Sequence, residues 1–216
     1  MTLEKQLTKH NGKKRGIFFD MDGTLWDSRK EIAFSWSQAI AKSKITDRIL
    51  TTEDMTKVMG KPMDELMKIL FPELTDSERQ TLYPLCCQME NDYLREHGAK
   101  LYPNVEEVFA TLHKKYFLAI VSNCQEGYIE AFLEHYGFGK YIDDIQCFGM
   151  NGKQKDENIR LVAERNELTE VTYIGDIQAD YVASKKAGVG FIHAAYGFGE
   201  MEQETESIQN LKELLV

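Results

Sequence analysis

Five short apolar runs organise the chain, and polar residues close them. Gly16-Ile17-Phe18-Phe19 runs into Asp20, Phe117 to Val121 into Ser122, and Val171 to Gly175 into Asp176. Ile145 to Phe148 and Gly190 to His193 are the other two. Runs of this length, rich in β-branched and aromatic residues, read as buried strands. Strands are therefore expected from Gly16 to Asp20, Phe117 to Ser122, Ile145 to Phe148, Val171 to Gly175 and Gly190 to His193. Between the last four the apolar spacing becomes helical, as in Ile159, Leu161, Val162 and Ala163. Strand alternating with helix is the mark of βαβ units and a parallel sheet, hence an α/β fold.

The interval between the first two strands, from Trp26 to Pro103, is far longer than a crossover helix needs. It carries helix signals instead. Thr75-Asp76-Ser77-Glu78 matches a capping box, and Leu82, Leu85, Cys86 and Met89 follow at helical spacing, with Pro84 a potential kink or a later start. Gly60-Lys61-Pro62 before Met63, Leu66, Met67 and Leu70 reads as a second helix with proline in its first turn. The expectation is a small helical bundle over 27–102, inserted into a core of 1–26 and 103–216. Asn104 is a candidate cap for a helix from Val105 to Lys115. After Gly197 a loop is expected, then a short terminal helix through Leu211, Leu214 and Leu215.

The chemistry gathers at the strand ends. Asp20 and Asp22 flank Met21 where the first strand stops, and residues two apart along a strand share a direction. One carboxylate beside a metal can act as nucleophile while a second moves a proton. Gly23 permits a sharp turn or a close approach to a ligand. Ser122 and Asn123 are small donors suited to phosphate oxygens, although the same residues also cap helices. Lys153 or Lys155, before the helix of Ile159, can neutralise a carboxylate and a phosphate together. Asp176 and Asp180 converge if a helix starts between them. Oxygen-only ligands of this kind suit Mg²⁺.

Together, Asp20-Met21-Asp22-Gly23-Thr24, Ser122-Asn123, the lysine segment and Gly175-Asp176 with Asp180 resemble, in order, the four motifs of the haloacid dehalogenase superfamily. The resemblance spans Gly16 to about Gly199. It implies a Rossmann-like parallel sheet with helices on both faces and a helical cap after the first motif. It assigns Asp20 as nucleophile and metal ligand, and Asp22 as general acid and base with its backbone carbonyl on the metal. Gly23, Thr24, Ser122 and Asn123 would bind the phosphoryl group, and Asp176 and Asp180 would hold Mg²⁺. The third motif departs from the common Lys-Pro-x-Pro. Lys153 fits the usual spacing, while Lys155 fits a subgroup with lysine just before Glu-Asn-Ile and is favoured slightly.

Carbon-dehalogenating members lack the second aspartate, which this chain keeps as Asp22. The continuation Leu25-Trp26-Asp27-Ser28 resembles phosphoglycolate phosphatase-like members. The implied activity is hydrolysis of a small phosphate monoester. A phosphotransferase or mutase, and a binding protein without turnover, are the alternatives. Trp26, Lys61 and Met63 are the expected selectors of substrate.

Composition adds limits. With 216 residues, 43% apolar and 28% charged, the chain is an ordinary globular one. A formal net charge of −9 disfavours nucleic acid, whose binding rests on phosphate neutralisation. No apolar stretch suits a bilayer. The lysine-rich start, Met1 to Arg15, has no signal-like apolar core, so a cytoplasmic setting is expected. Cys86, Cys87, Cys124 and Cys147 show no CxxC spacing, which argues against a disulfide or zinc site. Cys124 and His193 are expected to be packed residues near the site rather than reactive ones. The partner expected is a small phosphorylated metabolite. The oligomeric state is open, with a monomer favoured.

Overall fold

The computed structural model describes residues 14–61 and 63–215, with the backbone only at 63 and 64. Lys13 and Pro62 therefore lie outside the described residues, as do the first twelve and the last one. Six strands form one sheet: β1 (Arg15–Phe19), β4 (Phe117–Ser122), β5 (Asp144–Cys147), β6 (Glu170–Gly175), β7 (Gly190–Ala194) and β8 (Ser207–Ile208). Two further strands, β2 (Trp26–Asp27) and β3 (Lys100–Leu101), pair antiparallel apart from it. The large sheet has the order β5-β4-β1-β6-β7-β8, and every pairing in it is parallel.

Alternation along these strands feeds two cores. Phe19, Leu118, Ile120 and Ile174 face the helices α5 (Val105–Leu112) and α6 (Tyr128–Tyr136). Phe18, Ala119, Val121 and Tyr173 face α8 (Lys155–Arg165) and α9 (Gln178–Ala187) on the opposite side. A sheet covered on both faces needs near-continuous apolar strands, which is why these runs were so visible. The parallel sheet with helices on both faces matches the expected fold.

The chain leaves the sheet through β2 and returns through β3, with Trp26 opposite Leu101. Between them lie α1 (Arg29–Ser43), α2 (Thr52–Thr56), α3 (Met63–Leu70) and α4 (Asp76–His97). The Thr75 capping box forms as expected: Thr75 Oγ1 accepts from Glu78 N–H, and the Glu78 carboxylate accepts from Thr75 N–H at 2.8 Å. Pro84 sits inside α4 and does not move its start. No helix among the described residues is long and apolar enough to cross a membrane.

Several boundaries differ from expectation. Asn104 does not cap α5 with its side chain; its backbone is left-handed at φ 70°, a conformation asparagine tolerates better than most residues. That helix stops at Leu112, and Lys115 and Tyr116 fold back to the Leu112 carbonyl. Phe148 leaves the β5 run and opens the short helix α7 (Phe148–Asn151). The two-residue strands β2, β3 and β8 were not foreseen, because two residues carry no readable period.

Candidate active site

β1 lies between β4 and β6, so the carboxyl ends of these three strands meet at one place. Crevices of open α/β sheets form where the connections diverge from a central strand. Asp20 follows β1, and its N–H donates to Ile174 O at 2.9 Å, tying it to the end of β6. Asp176 follows β6, and Ser122 ends β4. Asp180 lies in the first turn of α9 and Lys155 opens α8.

Asp20, Asp176 and Asp180 each bring a carboxylate oxygen within 4.8 Å of the others, all buried. Lys155 Nζ reaches Asp180 Oδ1 at 2.5 Å and Asp20 Oδ1 at 3.1 Å. Burial alone would weaken the lysine's hold on its proton; the Asp180 and Asp20 charges outweigh it and hold the ammonium above its usual pKa. Lys153, two residues earlier, is exposed and outside this cluster. Its carbonyl instead accepts from Asn158 Nδ2 at 3.0 Å. Lys153 thus stays in the exposed loop before α8, whereas Lys155, the first residue of that helix, is buried against the two carboxylates.

Three carboxylates against one ammonium leave the cluster two charges negative when all are ionised. Burial, then Asp180 and Asp20, push the Asp176 carboxyl well above the usual range, and burial foremost raises Asp180 to about 6. Asp180 Oδ2 is already occupied by the N–H groups of Asp176 and Ile177, at 3.1 and 3.2 Å. Asp20 Oδ1 is buried, with the Lys155 ammonium at 3.1 Å as its contact. A hard divalent cation fits this set: all donors are oxygens, and two positive charges would balance it.

A backbone cradle fixes Asp176. Phe198 N–H donates to its Oδ2 at 2.8 Å, and Thr24 Oγ1 lies 3.4 Å from Oδ1. Gly23 has φ +84°, and a Cβ there would stand 2.0 Å from Asp176 Oδ2. At Gly197 a Cβ would stand 2.3 Å from Asp176 Cβ. These two positions exclude side chains because the aspartate occupies the space.

Asp22 has different surroundings. Ser28 Oγ donates to its Oδ1, and the Tyr128 hydroxyl lies 2.6 Å from the same atom. Burial raises its carboxyl to about 7; the Ser28 and Tyr128 bonds oppose the rise, and the Asp20 charge adds to it. A carboxyl poised near neutrality suits proton transfer in either direction.

Asp20, Asp22, Ser122 and Asn123 line a cavity of about 50 Å³ with residues of the helical insertion. Asn123 Nδ2 donates to Gly60 O at 3.0 Å, while its Oδ1 is buried without a partner. Cys124 lines the cavity as a buried free thiol. His193 is packed, with Nε2 3.1 Å from Asp176 O. Lys61 reaches the cavity but pairs with Glu65 at 2.7 Å. Trp26 does not line it; it is fully buried, edge-on to Tyr128 and Phe132 at 5.4 and 5.0 Å. Trp26, expected to influence substrate choice, lies in β2 and packs behind the cavity rather than on its wall. The side chain of Met63 lies outside the described residues.

The model of the haloacid dehalogenase-like hydrolases matches residues 17–194. The chain belongs to the haloacid dehalogenase-like hydrolases. A phosphoglycolate phosphatase of Vibrio vulnificus is 28% identical over 202 residues, covering 86% of each chain. A haloacid dehalogenase-like hydrolase from Bacteroides fragilis superposes with a TM-score of 0.79 at 21% identity, over 92% of this chain and 98% of that one. CbbY from Rhodobacter sphaeroides, solved with phosphate, gives 0.79 at 17% identity over 92% and 95%. At these identities the two solved structures speak for the fold of this hydrolase.

Sequence reasoning missed Ser28, Tyr128, Phe198 and Glu90. Glu90, on α4, is 2% exposed and lines the cavity; its Oε2 accepts from Trp36 Nε1. Burial raises its carboxyl from 4.5 to about 8, opposed by the Trp36 and Gln125 bonds. The folded state thus holds this proton more tightly than the unfolded chain. The stabilising contribution is full below pH 4.5 and is lost as pH rises through about 8. In excess chelator, denaturant midpoints should fall across that window for the native protein. Glu90→Gln should remove part of the fall, on the order of a few kcal/mol. Parallel pH curves for the two proteins would contradict the assignment.

Proposed function

We propose that the protein is a Mg²⁺-dependent phosphatase that hydrolyses a small phosphate monoester through a phosphoenzyme at Asp20. The observation that carries the reading is the pairing at one cavity of two carboxylates in unlike surroundings. Asp20 stands against Lys155 at 3.1 Å, and Asp22 is held by Ser28 and Tyr128 with its proton affinity near neutrality. Environments that push two carboxyls apart divide nucleophile from acid.

A carboxylate oxygen of Asp20 attacks phosphorus and forms the new P–O bond. The P–O bond to the alcohol breaks, and Asp22 gives its proton to the departing alkoxide. Water then enters; Asp22 takes its proton as the oxygen attacks phosphorus. The bond from phosphorus to Asp20 breaks, restoring the carboxylate and releasing phosphate. Ser122, Asn123 and the Gly23-Thr24 backbone hold the phosphoryl oxygens, and Lys155 offsets the Asp20 charge as the dianion approaches. Mg²⁺ held by Asp20, Asp176 and Asp180, with the Asp22 carbonyl, would neutralise phosphate charge.

Among the described residues, 27–61 and 63–102 act as a cap over this site, on a core of 14–26 and 103–215. The phosphoglycolate phosphatases among the relatives support a small phosphorylated metabolite as substrate.

Purified protein freed of metal should not hydrolyse a panel of phosphate monoesters, and Mg²⁺ or Mn²⁺ should restore hydrolysis. Ca²⁺, with more ligands at longer distances, should not. Mg²⁺ should also raise the melting temperature, and Asp176→Asn should abolish that rise. Full hydrolysis in excess chelator, or none of any ester with Mg²⁺ bound, would overturn the reading.

A further inference from the structure

We propose that Arg29 is a positioning residue for the Mg²⁺ site: it fastens the strap Tyr196-Gly197-Phe198, which lies across Asp176, and so sets how tightly the cation is held. The inference rests on the reading of Asp176 as a Mg²⁺ ligand and concerns what keeps that ligand in place.

The strap follows β7 and meets Asp176 twice. Gly197 packs so close that a Cβ there would stand 2.3 Å from Asp176 Cβ, and Phe198 N–H donates to Asp176 Oδ2 at 2.8 Å. A backbone donor is only as well aimed as the loop that carries it, and this loop is fastened on both sides of Gly197. On one side the Tyr196 hydroxyl donates to Thr24 O at 2.9 Å, and its ring lies 4.8 Å from that of Tyr102. On the other the Arg29 guanidinium carbon stands over the Phe198 ring, 4.1 Å from its centroid. A guanidinium on a ring face is attracted by the ring's negative face.

Arg29 is itself held in one orientation. Its Nε and Nη2 donate to the two Asp27 carboxylate oxygens, each at 2.8 Å, and Nη1 donates to Thr56 Oγ1 at 3.0 Å. An exposed ion pair would contribute little. Here the two side chains are 23% and 24% exposed and the contact is a bidentate fork, the geometry in which such pairs are strong. Asp27 belongs to β2 and Thr56 to α2, so the fastening runs from the helical insertion to the metal cluster. Arg29 acts on the cation only through the Phe198 N–H. A ligating carboxylate whose other oxygen is hydrogen-bonded is oriented before the cation arrives, and loss of such partners weakens metal affinity by about 10–100-fold. Arg29 stands one contact further out, so the lower end of that range is expected.

Mg²⁺ titrations of the melting temperature and of p-nitrophenyl phosphate hydrolysis provide the test. Arg29→Gln removes the charge and the fork. Phe198→Leu keeps the backbone N–H and an apolar side chain and removes the ring face. Each should raise the Mg²⁺ concentration for half-maximal effect about tenfold in both titrations, while kcat at saturating Mg²⁺ stays within about twofold of native. The double variant should be no weaker than the weaker single one, because both remove the same contact. Arg29→Lys, which keeps the charge and loses the fork, should fall between native and Arg29→Gln. If Arg29→Gln fails to fold, Phe198→Leu decides. Folded variants with the native Mg²⁺ midpoint, or losses that add in the double variant, would overturn the inference and leave Arg29 a packing residue. A native protein that melts at one temperature with and without Mg²⁺ would overturn the metal reading as well.

Discussion

Asp20→Asn is expected to remove essentially all turnover, a loss of at least about 10⁴-fold. An amide cannot supply the oxygen that displaces the alcohol. The protein should stay folded. Asparagine has the same shape, Lys155 keeps its 2.5 Å contact to Asp180, and one of three crowded negative charges is gone. Melting temperature in chelator should be equal to that of the native protein or higher. A structural role alone predicts the reverse: lower stability with chemistry intact. Steady-state rates on p-nitrophenyl phosphate, taken with the melting curve, separate the two.

Asp22→Asn has the next largest expected effect, about 10²–10⁴-fold on ordinary alkyl phosphates. The amide oxygen can still accept from Ser28 and Tyr128, so the local fold survives. What is lost is a carboxyl whose proton affinity, near pH 7, lets it give and take a proton in the working range. The defect should be smallest on p-nitrophenyl phosphate, whose leaving group departs with little protonation. An equal loss on alkyl and aryl esters would remove Asp22 from proton transfer. Ser28→Ala and Tyr128→Phe make the same point in graded form, since each removes a bond that holds Asp22 Oδ1.

The strand-end chemistry was legible because it is local. Asp20, Ser122 and Asp176 each close an apolar run, and a parallel sheet brings such ends together by topology alone. Asp180 was legible for the same reason, one helical turn beyond Asp176. Lys153 and Lys155 were not separable from spacing. What separates their surroundings is where α8 begins: Lys153 stays in the exposed loop before it, while Lys155, its first residue, is buried with Asn158 and Ile159 by packing on the sheet. Tyr128 carried no signal, because a hydroxyl that bonds Asp22 from 106 residues away leaves no pattern in sequence; Ser28, six residues on, read only as part of the run that follows the first motif. Glu90 was hidden by its type: within α4 it looks like any solvated acid, and only the packing of α4 against α1 buries it. Thr75 was readable because a capping box closes within four residues, whereas Asn104, of an equally good cap type, was turned by its left-handed backbone.

The central claim is a covalent phosphoryl group on Asp20, and the Asp22→Asn protein is where it is best caught. With p-nitrophenyl phosphate and Mg²⁺, attack still proceeds, but the water that releases the phosphoryl group has lost its base, so the phosphoenzyme should accumulate. Acid quench followed by intact mass should show one added phosphoryl group per chain. Fragmentation should put it on Asp20, and the double variant Asp20→Asn with Asp22→Asn should show none. Turnover by the single variant with no added mass at any quench time, or a phosphoryl group on any other residue, would contradict the account.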